Sequence, residues 1–181
     1  MNKVIILAGG QGKRMKSDMP KPLFKVLGEP MLEWVISACE DAGLKDICVV
    51  KGFKSEMIDE YLGGRYETAL QTERLGTGHA VMQAAQFLKK DTDGNTLVLC
   101  GDAPFIEASV ISGALELHKQ QNNSVTVITA GLDAPRGYGR HGGYQRPQPT
   151  QHRNRRCPVH APYRHVQTLR CSLLRPRRQS R

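Results

Sequence analysis

The chain has 181 residues, enough for one domain with a sizeable core, and a formal net charge of +9. That charge is lopsided: residues 1–135 hold 14 Lys and Arg against 17 Asp and Glu, whereas residues 136–181 hold 12 Arg and no Lys, Asp or Glu. The basic average therefore does not make the body of the chain a nucleic-acid binder, and no apolar run approaches the roughly 20 residues that span a bilayer. Five cysteines, an odd number, and no signal peptide lead us to expect a reducing cytoplasm.

The first element is the apolar run from Val4 into Ala8, followed by Gly9, Gly10, Gly12, Lys13 and Arg14. A short apolar run closed by glycine reads as a buried strand of a parallel sheet. The glycines allow a tight turn and leave N–H groups free to cradle phosphate, with Lys13 and Arg14 adding charge. The same glycines would also serve a turn that only needs their dihedrals. Two known phosphate loops are excluded. A Walker A loop needs Ser or Thr after Gly-Lys, and Arg14 stands there; a dinucleotide fingerprint needs an acid after the second strand, which ends at Lys51.

Ser17 to Pro30 lacks periodicity and reads as an extended loop, with Lys21 held between Pro20 and Pro22. Lys21 is either a phosphate contact on a stiff segment or a solvated surface lysine. A helix follows over Met31–Ala42, stopped by Gly43; then a strand at Ile47–Val50, a short helix capped by Ser55, and a weaker strand at Glu67–Gln71. Gly76-Thr77-Gly78 opens a helix expected over His79–Lys90, offering free N–H groups to an anion or a base, or simply an N-cap. His79 is given no role. Thr96–Cys100 reads as a buried strand that runs into Gly101-Asp102, where the carboxylate is either a Mg²⁺ ligand or a turn residue. A helix over Glu107–Gln121 and a strand over Ser124–Ala130 complete the pattern.

Strands and helices alternate throughout, so the expected fold is α/β, a Rossmann-like, doubly wound and mostly parallel sheet with right-handed crossovers. That arrangement brings the Gly9 loop, the Gly76 turn and Asp102 to one sheet edge, which together favour a nucleotide site.

Five segments fall in order: LAGGQGKRM at Leu7–Met15, SDMPKPL at Ser17–Leu23, LQTERLGTGHA at Leu70–Ala80, CGDAP at Cys100–Pro104 and GYGR at Gly137–Arg140. In them the chain resembles the sugar nucleotidyltransferases, most closely the pyrophosphorylase domain of the N-acetylglucosamine-1-phosphate uridylyltransferases. The likeness covers about residues 1–140 and implies the nucleotide-diphospho-sugar transferase fold, incomplete at the C-terminus. It implies that Leu7, Ala8, Gly9 and Gly10 wrap the nucleotide, that Arg14 and Lys21 meet the triphosphate as catalytic groups, and that Gln71, Gly76 and Thr77 recognise uracil. Cys100, Gly101, Asp102 and Gly139 would face substrate, with Asp102 holding Mg²⁺. The implied reaction joins UTP and N-acetylglucosamine 1-phosphate with release of pyrophosphate, in the cytoplasm and away from membranes. The alternative within the family is a sister nucleotidyltransferase with another base or phosphorylated substrate, against which Gln71 and the Gly76 turn argue for uracil.

After Arg140 the text departs from the family. The later sugar-contacting Glu and Asn residues, the second metal ligand and the C-terminal β-helix domain that underlies oligomerisation have no counterpart. A body with 11 Lys and 3 Arg gives way to arginine alone, so residues 141–181 read as a disordered, frameshifted tail without a packed core, and activity as impaired. Two alternatives stand: an arginine tail that binds nucleic acid, and a zinc site from Cys157, His160, His165 and Cys171 at a non-standard spacing.

Overall fold

The computed structural model describes residues 1–12, 15–91, 93–129 and the backbone of 171–174. The strands are β1 (Lys3–Ala8), β2 (Lys25–Val26), β3 (Glu29–Pro30), β4 (Asp46–Lys51), β5 (Glu67–Leu70), β6 (Thr96–Cys100), β7 (Val125–Ile128) and β8 (Cys171–Leu174). The helices are α1 (Met31–Asp41), α2 (Ser55–Leu62), α3 (Thr77–Gln83), α4 (Ala85–Lys89) and α5 (Ala108–Gln120). Six strands form one sheet in the order β5-β4-β1-β6-β8-β7.

Strands β5, β4, β1 and β6 are parallel, as the alternation of elements requires. The chain winds outward from β1 through β4 to β5, then returns to the other side of β1 as β6. The switch point lies between β1 and β6, where Leu7 pairs with Cys100 across the ends of the two strands.

A two-residue period divides β1 between the faces. Val4, Ile6 and Ala8 pack with Leu32, Val35 and Ile36 of α1, Ile58 of α2 and Ile111 of α5. Ile5 packs on the opposite face with Val50, Val98, Ala80 of α3 and Phe87 of α4. Leu32, Val35, Ile36 and Cys39 of α1 are fully buried, each apolar side chain contributing about 1.5–3 kcal/mol by its removal from water. Burial raises the thiols of Cys39 and Cys48 to about 12 and about 11, which leaves both as inert core residues.

Two fixtures tie the helices down, one to the sheet and one to each other. Buried Lys3 donates from Nζ to the carbonyls of Phe87, Leu88 and Asp91 at 2.8–3.0 Å, closing the C-terminus of α4. Arg65 meets Glu33 of α1 with two 3.1 Å bonds, and Tyr61 Oη donates to the same carboxylate at 2.6 Å. The guanidinium of Arg65 holds the Glu33 carboxyl below the ordinary carboxylate range.

The structure departs from the sequence expectations in five places. The extended loop before α1 contains a 3₁₀ turn at Lys21–Leu23 and a hairpin of β2 and β3. Pro22 supplies the first helical φ of that turn, and Leu27 and Gly28 make the hairpin bend at φ 53° and 94°. The single helix expected over residues 79–90 starts at Thr77 and is split at Ala84 into α3 and α4. Ser55 is the first residue of α2 and not its cap; Lys54, at φ 47°, precedes it with no side-chain cap. The strand expected from Ser124 is shorter, β7 covering only Val125–Ile128, with Val125 and Val127 facing solvent and Thr126 and Ile128 half-buried. Finally, residues 171–174, read from composition as outside the fold, pair antiparallel with both β6 and β7. Ladder pairing uses backbone groups alone, so a short run such as Cys171–Leu174 can join a sheet whatever the composition around it.

Candidate nucleotide site at the sheet switch point

A cavity of about 330 Å³ opens outside the carboxyl ends of β1 and β6. Its walls include Leu7, Gly9, Gly10, Lys21, Gln71 and Asp102, with Gly76, Thr77 and Cys100 alongside. Residues up to 95 positions apart in sequence thus meet at one crevice, because every contributing loop follows a parallel strand or opens the helix after one.

The glycine loop is shaped by close approach to its neighbours. A Cβ on Gly9 would stand 2.9 Å from Gln71 Oε1, and one on Gly52 would stand 2.9 Å from the Gly9 carbonyl oxygen and 3.0 Å from Gly9 Cα. The loop after β1 and the loop after β4 therefore cross backbone to backbone, which only glycine permits. Gly12 takes φ +62°, and a Cβ there would meet Lys21 Cβ at 2.9 Å, so the loop packs on the lysine stem.

That stem aims Lys21 across the mouth of the cavity. Its Nζ donates to Asp102 Oδ2 at 2.6 Å, with both side chains more than a third exposed. Such a pair contributes little to stability, on the order of 0–1 kcal/mol, and exchanges readily for stronger partners. Among the described residues no three His, Cys, Asp or Glu gather as a metal cluster. The donor set fits a largely hydrated Mg²⁺ held by the one Asp102 carboxylate and by substrate phosphates.

The far wall is made by the start of α3. Gly76 is the N-cap at φ 105° with no side-chain cap bond, which leaves the start of α3 uncapped by a side chain at the cavity wall; Thr77 lies inside the helix and does not cap it. Gln71 is 7% exposed, and its Nε2 donates to the Gly76 carbonyl at 3.2 Å.

Ala8 and Gly101 sit behind the walls. Ala8 is buried in the core on the α1 face, and Gly101 donates its N–H to the Leu7 carbonyl at 2.9 Å, tying β6 to β1. Arg14 and Gly139 lie outside the described residues, as do Cys157, His160 and His165 of the zinc reading. Gly52, Pro22 and Arg74 were not anticipated from sequence. Arg74 lines the cavity, bonds Gln11 Oε1 at 2.7 Å and lies over the Phe53 ring at 5.5 Å. A glycine just past a strand end, as at Lys51-Gly52, was the available signal for the first.

A glycine loop, a lysine, a helix start and a carboxylate converging on the switch point of a parallel sheet make this α/β protein's crevice a candidate nucleotide site. A family model described as Nucleotidyl transferase matches residues 3–141, and the chain belongs to that family. The bifunctional protein GlmU of Acetivibrio thermocellus is 46% identical over 136 residues, 75% of this chain and 29% of that protein. The bifunctional protein GlmU of Thermoanaerobacter pseudethanolicus matches to the same extent. The chain spans less than a third of the length of these relatives. In fold it is similar to a Bacillus anthracis structure described as a glucose-1-phosphate thymidylyltransferase, with TM-score 0.64, 23% identity, and 75% and 57% of the two chains covered. It is similar also to a UDP-glucose pyrophosphorylase from Acinetobacter baumanii, with TM-score 0.58, 18% identity, and 71% and 56% covered.

Proposed function

We propose that residues 1–140 form the nucleotide-binding part of a sugar-1-phosphate uridylyltransferase, using UTP and N-acetylglucosamine 1-phosphate. The observation that carries this reading is the single cavity that unites Gly9, Gly10, Lys21, Gln71, Gly76, Thr77 and Asp102. Family membership and the GlmU relatives support it. Residues 141–181 are taken to lie outside the catalytic chemistry, and the reaction to run in the cytoplasm. Among the described residues no helix is long and apolar enough to cross a membrane.

In the proposed reaction an oxygen of the sugar phosphate attacks the α-phosphorus of UTP. A new P–O bond forms as the bond from the α-phosphorus to the bridging oxygen breaks, and pyrophosphate leaves. The nucleophile belongs to the substrate, so the protein's work is positioning and charge neutralisation. The Gly9–Gly10 backbone admits the nucleotide close to the sheet edge. Lys21 leaves Asp102 for a phosphate oxygen, with Arg14 assigned to the same triphosphate by sequence, and Gln71 with the Gly76 turn reads the base. Bound Mg²⁺ would supply neutralisation of the phosphate charge at Asp102. Gly139, by sequence, would lie beside the sugar.

Isothermal titration with UTP, CTP and ATP in Mg²⁺ tests the reading. The expected result is weak binding that favours UTP, loses its Mg²⁺ dependence in Asp102→Asn, and is accompanied by no measurable sugar transfer. Equal affinity for the three nucleotides would overturn the assignment to uridine.

A further inference from the structure

The geometry points to His79 as a positioning residue that, together with the Gly76 carbonyl, holds the Gln71 amide with its oxygen toward the base. This rests on the reading of the cavity as a uridine site. It concerns a residue whose place in the sequence suggested only a helix surface.

Gln71 Nε2 lies 3.2 Å from the Gly76 carbonyl and 3.3 Å from His79 Nδ1. A carbonyl oxygen only accepts, so this corner of the amide is the NH₂. Its second N–H then requires an acceptor, which His79 provides only when Nδ1 is unprotonated and the ring proton sits on Nε2. On the other side of the ring, Gln83 Nε2 lies 3.1 Å from His79 Nε2 and 3.1 Å from the His79 carbonyl. A neutral imidazole accepts at one nitrogen, so the two glutamines compete for it.

Burial decides between them. Gln71 is 7% exposed and would strand a buried N–H, whereas Gln83 is half-buried and can keep its bond to the His79 carbonyl while its second N–H and the His79 Nε2–H turn to water. With its NH₂ committed twice, Gln71 keeps Oε1 on the side of Gly9, where a Cβ on that glycine would stand 2.9 Å from it and where both residues line the cavity. An acceptor there takes the N3–H of uracil. Cytosine offers a bare ring nitrogen at that position and is disfavoured. His79 thus acts on base choice without touching the nucleotide.

The test compares UTP with CTP binding in the wild-type chain, His79→Ala and His79→Asn, with ¹⁵N spectra of the His79 ring and the Gln71 side-chain amide. Loss of one hydrogen bond from a pair should cut the UTP preference of His79→Ala by about fivefold. His79→Asn, whose Oδ1 can stand where Nδ1 stood, should restore it. The spectra should show Nδ1 unprotonated in the nucleotide-free protein. A ring protonated at Nδ1, or an undiminished preference in His79→Ala, would overturn the role of His79 while leaving the uridine site intact. A wild-type chain with no preference would overturn both.

Discussion

Replacing Lys21 by alanine is expected to weaken UTP binding by about ten- to a hundredfold, the range for losing a hydrogen bond to a charged group. The lysine is placed by the chain around it. Pro20 and Pro22 restrict its backbone, the 3₁₀ turn starts at it, and Gly12 packs against its Cβ. Little rotamer freedom therefore remains to be lost when phosphate binds. Its present partner Asp102, 2.6 Å away and half exposed, gives it up at small cost. Lys21→Arg should not restore full affinity, because a planar fork cannot occupy the position of a compact ammonium. Calorimetric titration checks both variants, and unchanged affinity in Lys21→Ala would remove the lysine from the triphosphate.

Gly52→Val is expected to destabilise the chain by about 3 kcal/mol, at the upper end of overpacking effects, and to abolish UTP binding. The effect arises at backbone, which cannot move aside as a side chain can. The first added carbon already falls 2.9 Å from the Gly9 oxygen and 3.3 Å from the Gln71 oxygen. Relieving that clash displaces the glycine loop and the base-reading glutamine together. Chemical denaturation reads the stability loss and titration the binding loss. A Gly52→Val chain that keeps wild-type stability and UTP affinity would show that the crossing of the two loops is not what shapes the cavity.

Much of this site was legible because α/β topology converts order in sequence into position at an edge. Strands at Val4–Ala8 and Thr96–Cys100 are recognisable from apolar runs, and whatever follows them must sit at the crevice. What sequence could not supply was contact between loops. Gly52 matters only because the Gly9 loop crosses it, and Arg74 because Phe53 and Gln11 lie beside it. His79 is a surface residue until Gln71 is brought to it by the turn at Gly76. The split of α3 from α4 and the pairing of β8 are tertiary outcomes with little local signature, since backbone hydrogen bonding of Cys171–Leu174 is blind to composition.

The most direct test of the account is to record where uridine triphosphate lands, from amide NMR spectra of the 181-residue chain with and without UTP and Mg²⁺. The account predicts that the largest shifts fall on Gly9–Gly12, on Gln71 with Gly76–Ala80, and on Cys100–Asp102. Shifts confined to the arginines of residues 136–181, with those three loops unmoved, would contradict it.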